Sequence, residues 1–157
     1  MTKDIKHVIF DVDGVFTSGQ FIYDETGKRY KIFGPHDSDG INFLLGQDIF
    51  VEAISADKRG FNITRKRMND IGLPLTLVSE SDREGFVRGR GGLKQLCFMG
   101  DGHFDAHIFD IVSYAIAPSN AVPVALEKAD YVTRASGGNG AVYEAALHIL
   151  NITGKKQ

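Results

Sequence analysis

Along the chain, short apolar runs alternate with segments in which apolar residues recur every three or four positions. No linker-like or low-complexity stretch interrupts them. The runs "HVIFDV", "IFVEAIS", "LTLVS", "QLCFMG", "SYAIAP" and "DYVTR" are mostly continuous, as expected for strands covered on both faces, and predict a parallel sheet. Between them, Phe61, Thr64, Met68 and Ile71 mark one face of an amphipathic helix that Gly72 stops. A last helix carries Val142, Ala145, Ala146, Ile149 and Leu150 on one stripe, entered from "GGN" with Asn139 as its expected N-cap. This alternation predicts an α/β fold, a doubly wound, Rossmann-like parallel sheet.

One segment breaks the rhythm. "QFIYDETGKRYKIF", Gln20 to Phe33, reads as two β-rich runs around a turn at Asp24 to Lys28, a projecting hairpin within about residues 15–33. Its apolar load (Phe21, Ile22, Tyr23, Tyr30, Ile32, Phe33) is heavy for a two-stranded projection, which is marginal alone and exposes a sticky surface. A covering partner is expected.

Length and charge narrow the function. A chain of 157 residues fits one domain, 1–157, with a sizeable core. With 18 Lys and Arg against 20 Asp and Glu, the net charge of −2 argues against a nucleic-acid binder. The single Cys97 excludes an internal disulfide and reads as a small buried hydrophobe. The apolar run in "MTKDIKHVIF" is too short for a signal peptide or membrane span, so a cytoplasmic protein with no membrane partner is the expectation.

The candidate chemistry lies where the strands end. In open α/β sheets ligands bind beyond the carboxyl ends of the strands, and there the first strand delivers Asp11 and Asp13. "EAIS" delivers Ser55, and "CFMGDGHFD" delivers Asp101 and Asp105. Acids joined by a hydroxyl suit phosphoryl transfer. Asp11 would attack phosphorus, and Asp13 would protonate the leaving alcohol and later activate water. Mg²⁺ would take the carboxylates of Asp11 and Asp101 and a backbone carbonyl at Asp13. Gly14 lets the chain turn away sharply, leaving N–H groups to face phosphate oxygens.

These residues resemble the motifs of the haloacid dehalogenase (HAD) phosphatase superfamily: "FDVDGVFTSG" its first, Ser55 in "AISAD" its second, "GDGHFD" its fourth. Within it the chain is similar to the small capless group of phosphatases acting on 3-deoxy-manno-octulosonate (KDO) 8-phosphate and on nonulosonate 9-phosphates such as neuraminate 9-phosphate. "KIFGPHDSDGINFLL" and "ADYVTRASGGNGAVYEAALHIL" resemble segments of that group. The resemblance implies phosphate contacts from Asp11, Ser55, Ala56 and Arg83, with Gly14 and Asp105 in support. The group's third motif usually supplies a lysine; Arg83 in "SESDREGF" stands there, keeping the charge and adding a bidentate grip.

Larger HAD enzymes insert a cap domain after the first or third motif. Here Gly14 to Ile54 is filled by the hairpin, a helix and a strand, and the glycine-rich stretch from Glu84 to Gly100 is short, so no cap domain fits. The pocket then needs a neighbouring subunit, and the resemblance implies a homotetramer with shared active sites. Candidate contacts to a sugar carboxylate are His36, Lys58 and Arg59. The favoured reading is a Mg²⁺-dependent phosphatase for an acidic sugar phosphate, in synthesis of a surface polysaccharide. Its rivals are a noncatalytic HAD-like oligomerisation module, which has no need for Asp11, Asp13 and Asp101 together, and a phosphatase for another small ester. A zinc pair at His103 and His107 lacks the glutamate of the His-Glu-x-x-His motif, Phe104 standing in its place.

Overall fold

A computed structural model describes residues 2–156. The strands are β1 (His7–Asp11), β2 (Thr17–Asp24), β3 (Gly27–Phe33), β4 (Phe50–Ser55), β5 (Leu75–Leu77), β6 (Leu96–Met99), β7 (Tyr114–Ala117) and β8 (Tyr131–Val132). The helices are α1 (Asp37–Leu45), α2 (Phe61–Asp70), α3 (Arg83–Gly89), α4 (Asp105–Phe109), α5 (Pro123–Lys128) and α6 (Ala141–Ile152). Six strands pair in parallel in the order β5-β4-β1-β6-β7-β8, while β2 and β3 form a separate antiparallel hairpin. The order runs outward from β1 in both directions, so the topological switch point lies beside β1, between β4 and β6.

Alternation along the central strands builds the two sides of the core. Val8 and Phe10 of β1, with Cys97 and Met99 of β6, face the layer of α1 and α6. Ile9, Leu96 and Phe98 face the opposite layer, where Val87 of α3, Ala106 of α4 and Ala125 of α5 close over them. Because both faces are covered, every one of these positions is apolar, which is why the strands read as continuous runs. Cys97 is fully buried, and that burial pushes its thiol upward. No helix among the described residues is long and apolar enough to cross a membrane.

The helix spacings predicted from the sequence give helices at α2 and α6. Thr64 and Met68 of α2 are buried, and so is the whole stripe from Val142 to Leu150 on α6. Asn139 is not the N-cap. Gly140, with φ of 101°, precedes α6, no side chain caps it, and the Asn139 N–H instead closes a turn onto the Ser136 carbonyl at 3.0 Å. The glycines before it serve packing: a Cβ on Gly137 would overlap the Gly14 carbonyl, so this loop seats the turn that follows β1.

The hairpin starts three residues earlier than the reading from Gln20, at Thr17, whose buried hydroxyl accepts the Gly14 and Gly19 N–H groups at 3.1 Å each. Its apolar side chains are exposed, as expected of a two-stranded projection with this apolar load. Tyr30 and Ile32 are 61% and 58% exposed, whereas the side chain of Lys31 between them is 1% exposed. With a side-chain period of two, turning Lys31 toward the body of the protein sends its two neighbours outward.

Candidate active site

Three chain segments converge at the carboxyl end of the sheet. Asp11 ends β1, Ser55 ends the adjoining β4, and Asp101 follows β6 on the other side. Gly14 makes the convergence tight, since with φ of 85° it turns the chain away and a Cβ there would overlap the Asp101 carboxylate. Asp11, Asp101 and Asp105 each offer a carboxylate oxygen, and these atoms lie within 4.8 Å of one another. Arg83, at the start of α3, reaches in from the side, forming a buried ion pair with Asp105 and approaching Asp11 at 3.4 Å. Its Nε is buried without a partner.

Asp105 is fully committed locally. One oxygen receives Arg83, and the other accepts the N–H groups of Asp101 and Gly102 at 3.0 and 2.9 Å. It therefore sets the position of both the guanidinium and the Asp101 loop. Charge is unbalanced here, with three carboxylates against one guanidinium. Burial, then the nearby Asp105, push the Asp11 carboxyl well above its usual range, with Arg83 only partly opposing and Asp101 and Asp13 adding to the rise. Burial and Asp105 likewise raise Asp101 to about 7. Burial would lower Arg83, but the facing Asp11 and Asp105 outweigh it and push the guanidinium upward. A hard cation fits this donor set: oxygen ligands only, excess negative charge and a pocket open to solvent.

Asp13 turns away from that cluster. Its carboxylate accepts the Ser55 hydroxyl at 2.9 Å and the Lys31 ammonium at 2.7 Å. Ser55 does not cap the next helix, which begins only at Phe61; its oxygen also accepts the Asp57 N–H at 3.2 Å. Asp57 in turn receives Lys28 at 2.6 Å and Lys31 at 2.8 Å. Burial would raise Asp57, but hydrogen bonds from Lys28 and Lys31 prevail and hold it at about 2.

The cleft over these groups measures about 540 Å³, within the range for a small-molecule site. Ala56 lines it beside Asp11, Asp13, Arg83, Asp101 and Asp105. His36, Lys58 and Arg59 do not. His36, in a left-handed conformation, faces Asp39 at 3.5 Å and the Tyr143 ring; Lys58 is exposed, and Arg59 reaches the Tyr23 hydroxyl at 3.4 Å. His103 lines the cleft from the loop before α4, so it and His107 do not share a helix.

The sequence reading missed the lysines of the hairpin. Lys28 lines the cleft with Phe21, whose ring lies 4.1 Å from its ammonium, and Lys31 sits beneath it. The available signal was the lysine spacing in "GKRYKIF", in which Lys31 alternates with Tyr30 and Ile32.

No protein-family profile matches the chain. It is 33% identical over 158 residues to the 3-deoxy-D-manno-octulosonate 8-phosphate phosphatase of Haemophilus influenzae, covering 98% of this chain and 87% of the relative. Among solved structures, the cobalt-bound deoxy-D-mannose-octulosonate 8-phosphate phosphatase of Haemophilus influenzae superposes with a TM-score of 0.86 at 31% identity, covering 96% of this chain and 90% of that one. The 3-deoxy-D-manno-octulosonate 8-phosphate phosphatase of Moraxella catarrhalis, in complex with magnesium, phosphate and KDO, gives a TM-score of 0.88 at 26% identity over 97% of this chain and 89% of that one.

Proposed function

The chain belongs to the 3-deoxy-D-manno-octulosonate 8-phosphate phosphatase family of the HAD superfamily, and from that premise we propose that its cleft hydrolyses an acidic sugar phosphate with Asp11 as nucleophile and Asp13 as general acid and base. The observation that carries this reading is the meeting of Asp11, Asp101 and Asp105 at the strand ends with a single buried guanidinium. Mg²⁺ would be held by Asp11, Asp101 and the backbone carbonyl at Asp13, and when bound it offsets the charge of the carboxylates and the phosphate.

An Asp11 oxygen forms a bond to phosphorus while the bond from phosphorus to the sugar oxygen breaks. The electron pair stays on that oxygen, which takes the proton of the Asp13 carboxyl. A water then attacks the aspartyl-phosphate, giving its proton to Asp13 as the bond between Asp11 and phosphorus breaks. Phosphate leaves and Asp11 is restored. Arg83, held by Asp105, steadies the equatorial phosphate oxygens, with Ala56 bordering the phosphate position, while Ser55 is buried outside the cleft lining and its hydroxyl holds Asp13.

The Lys and Arg side chains lining the cleft, Lys28 and Arg83, are already paired with carboxylates of this chain. A sugar carboxylate therefore needs cations from elsewhere. We read the chain as one capless domain that assembles as a homotetramer, the exposed face of Ile22, Tyr30 and Ile32 docking a second copy that completes the pocket wall. A cytoplasmic place in surface-polysaccharide synthesis accords with such a substrate.

Phosphate release from KDO 8-phosphate, neuraminate 9-phosphate and simple hexose phosphates tests the reading. KDO 8-phosphate is expected to exceed the hexose phosphates by at least about tenfold in kcat/KM, about 1.4 kcal/mol of transition-state binding. Hexose phosphates cleaved as fast as the acidic sugars would make the protein a general sugar phosphatase.

A further inference from the structure

The base of the hairpin holds a charge network that the phosphatase reading above does not use. The Lys31 side chain is 1% exposed, and an ammonium has three N–H donors. Three acceptors surround it: Asp13 at 2.7 Å, Asp57 at 2.8 Å and the buried Thr64 hydroxyl of α2 at 2.8 Å. Two of these acceptors are themselves held. Asp57 is pinned by Lys28 and by the Gly60 N–H at 3.1 Å, and Thr64 lies inside the helix. The ammonium is thus a fixed point charge whose position is set by the sheet, α2 and the hairpin together.

Asp13 is the member of this network that still reaches solvent. Its side chain is 34% exposed toward the cleft, while one oxygen is held by Lys31 and the other by the Ser55 hydroxyl. Each oxygen keeps a second lone pair, so the carboxyl can carry a proton on its open side without breaking either contact. A carboxyl at the end of an exposed turn would otherwise sample several rotamers, and a misplacement of about 1 Å at a reacting group costs on the order of 10²-fold.

We propose that Lys31 is the positioning residue of Asp13: it fixes the carboxyl toward the leaving oxygen. The proposal rests on the assignment of Asp13 as the acid. It makes docking of the hairpin and alignment of the proton donor a single structural event, so a catalytic group in the turn after β1 is oriented by a side chain of β3 rather than by a cap domain.

Leaving-group dependence separates this role from mere anchoring of the hairpin. With Mg²⁺ present, kcat/KM is measured for 2-glycerophosphate, whose alkoxide needs the proton, and for 4-nitrophenyl phosphate, whose phenolate leaves without it. In Lys31→Met the alkyl ester should lose about 10²-fold and the aryl ester less than about 5-fold. Equal losses on both esters would overturn the proposal and leave Lys31 an anchor only. Should Lys31→Met fail to fold, Thr64→Val removes one acceptor and no charge. It should give the same selective loss at about 5-fold on the alkyl ester, and an unchanged ratio between the esters would count against the proposal. Asp13→Asn run in parallel keeps the two readings apart. A selective loss there with none in Lys31→Met overturns only the positioning role, and no selective loss in Asp13→Asn overturns the assignment of the acid.

Discussion

Asp11 and Asp13 stand two residues apart in one motif, yet they enter charge networks of opposite kind. Asp11 joins Asp101 and Asp105 around the single guanidinium of Arg83, a buried group with more negative charge than the protein neutralises. Asp13 joins Asp57 opposite Lys28 and Lys31, where two carboxylates meet two ammonium groups. The first network is unfavourable as it stands and becomes favourable when a cation and a phosphate complete it. The second is complete within the chain and works as scaffold. Buried charge is costly unless paired, so the unbalanced cluster marks where a ligand belongs, and the balanced one marks what must not move.

Removing the cation of the unbalanced network should give the largest effect. Arg83→Ala is expected to cut turnover by about 10³-fold, and Arg83→Lys to retain part of it, because the charge survives while the bidentate geometry does not. Steady-state rates on 4-nitrophenyl phosphate check this. Near-normal turnover in Arg83→Ala would assign the phosphate grip to another cation.

Charge removal should next affect stability with opposite sign in the two networks. Asp57→Asn leaves Lys31 and Lys28 short of a partner and should cost about 3 kcal/mol in urea unfolding. Asp11→Asn relieves repulsion and should stabilise the metal-free protein by about 1 kcal/mol while abolishing turnover. A destabilised Asp11→Asn would mean that the cluster is already balanced by the protein.

The pH dependence of stability follows the same division. Asp11 and Asp101 have raised values in the fold, so their contribution is complete below an unfolded value of about 3.9 and is lost as pH rises through about 7 for Asp101. The metal-free protein should therefore melt several degrees lower at pH 7.5 than at pH 5. Asp57 acts in reverse: its stabilising share is present above about 3.9 and disappears as pH falls through about 2. Saturating Mg²⁺ should remove most of the loss above pH 5, adding about 2.7 kcal/mol at one hundred times its Kd. Asp37, raised to about 7 by burial, leaves a residual slope that the metal does not touch. A melting temperature indifferent to Mg²⁺ at pH 7.5 would contradict the metal site.

The outer face of the hairpin should contribute least to the fold and most to assembly. Ile32→Asp places a charge where the side chain is already exposed, so the melting transition of the isolated subunit should change by less than about 0.5 kcal/mol. If the proposed tetramer forms, light scattering should show its loss in this variant, with lowered activity on the sugar acid. An active monomeric wild type would defeat the shared pocket.

Much of this molecule was legible in its sequence because the relevant signals are local. The six continuous apolar runs reflect strands of a sheet covered on both sides, the helical spacing from Phe61 to Met68 and the stripe from Val142 to Leu150 reflect helices burying one face, and all became strands or helices. The strand-end positions of Asp11, Ser55 and Asp101 followed from the same logic, since polar residues that close apolar runs lie where the strands end. What sequence could not fix was direction. Nothing in "DVDGV" says that Asp11 turns toward Asp101 and Asp13 toward Lys31; that depends on Gly14 packing against Asp101 and on which face of the hairpin meets α2. His36, Lys58 and Arg59 were plausible from their neighbourhood in the chain, but their side chains lie outside the cleft, and the lysine that grips Asp13 arrives from 18 residues away. Element identity and strand-end chemistry are set by patterns a few residues long, whereas the partner of each charge is set by long-range packing, because electrostatic contact depends on distance in space and a period of two or four along the chain carries no record of it.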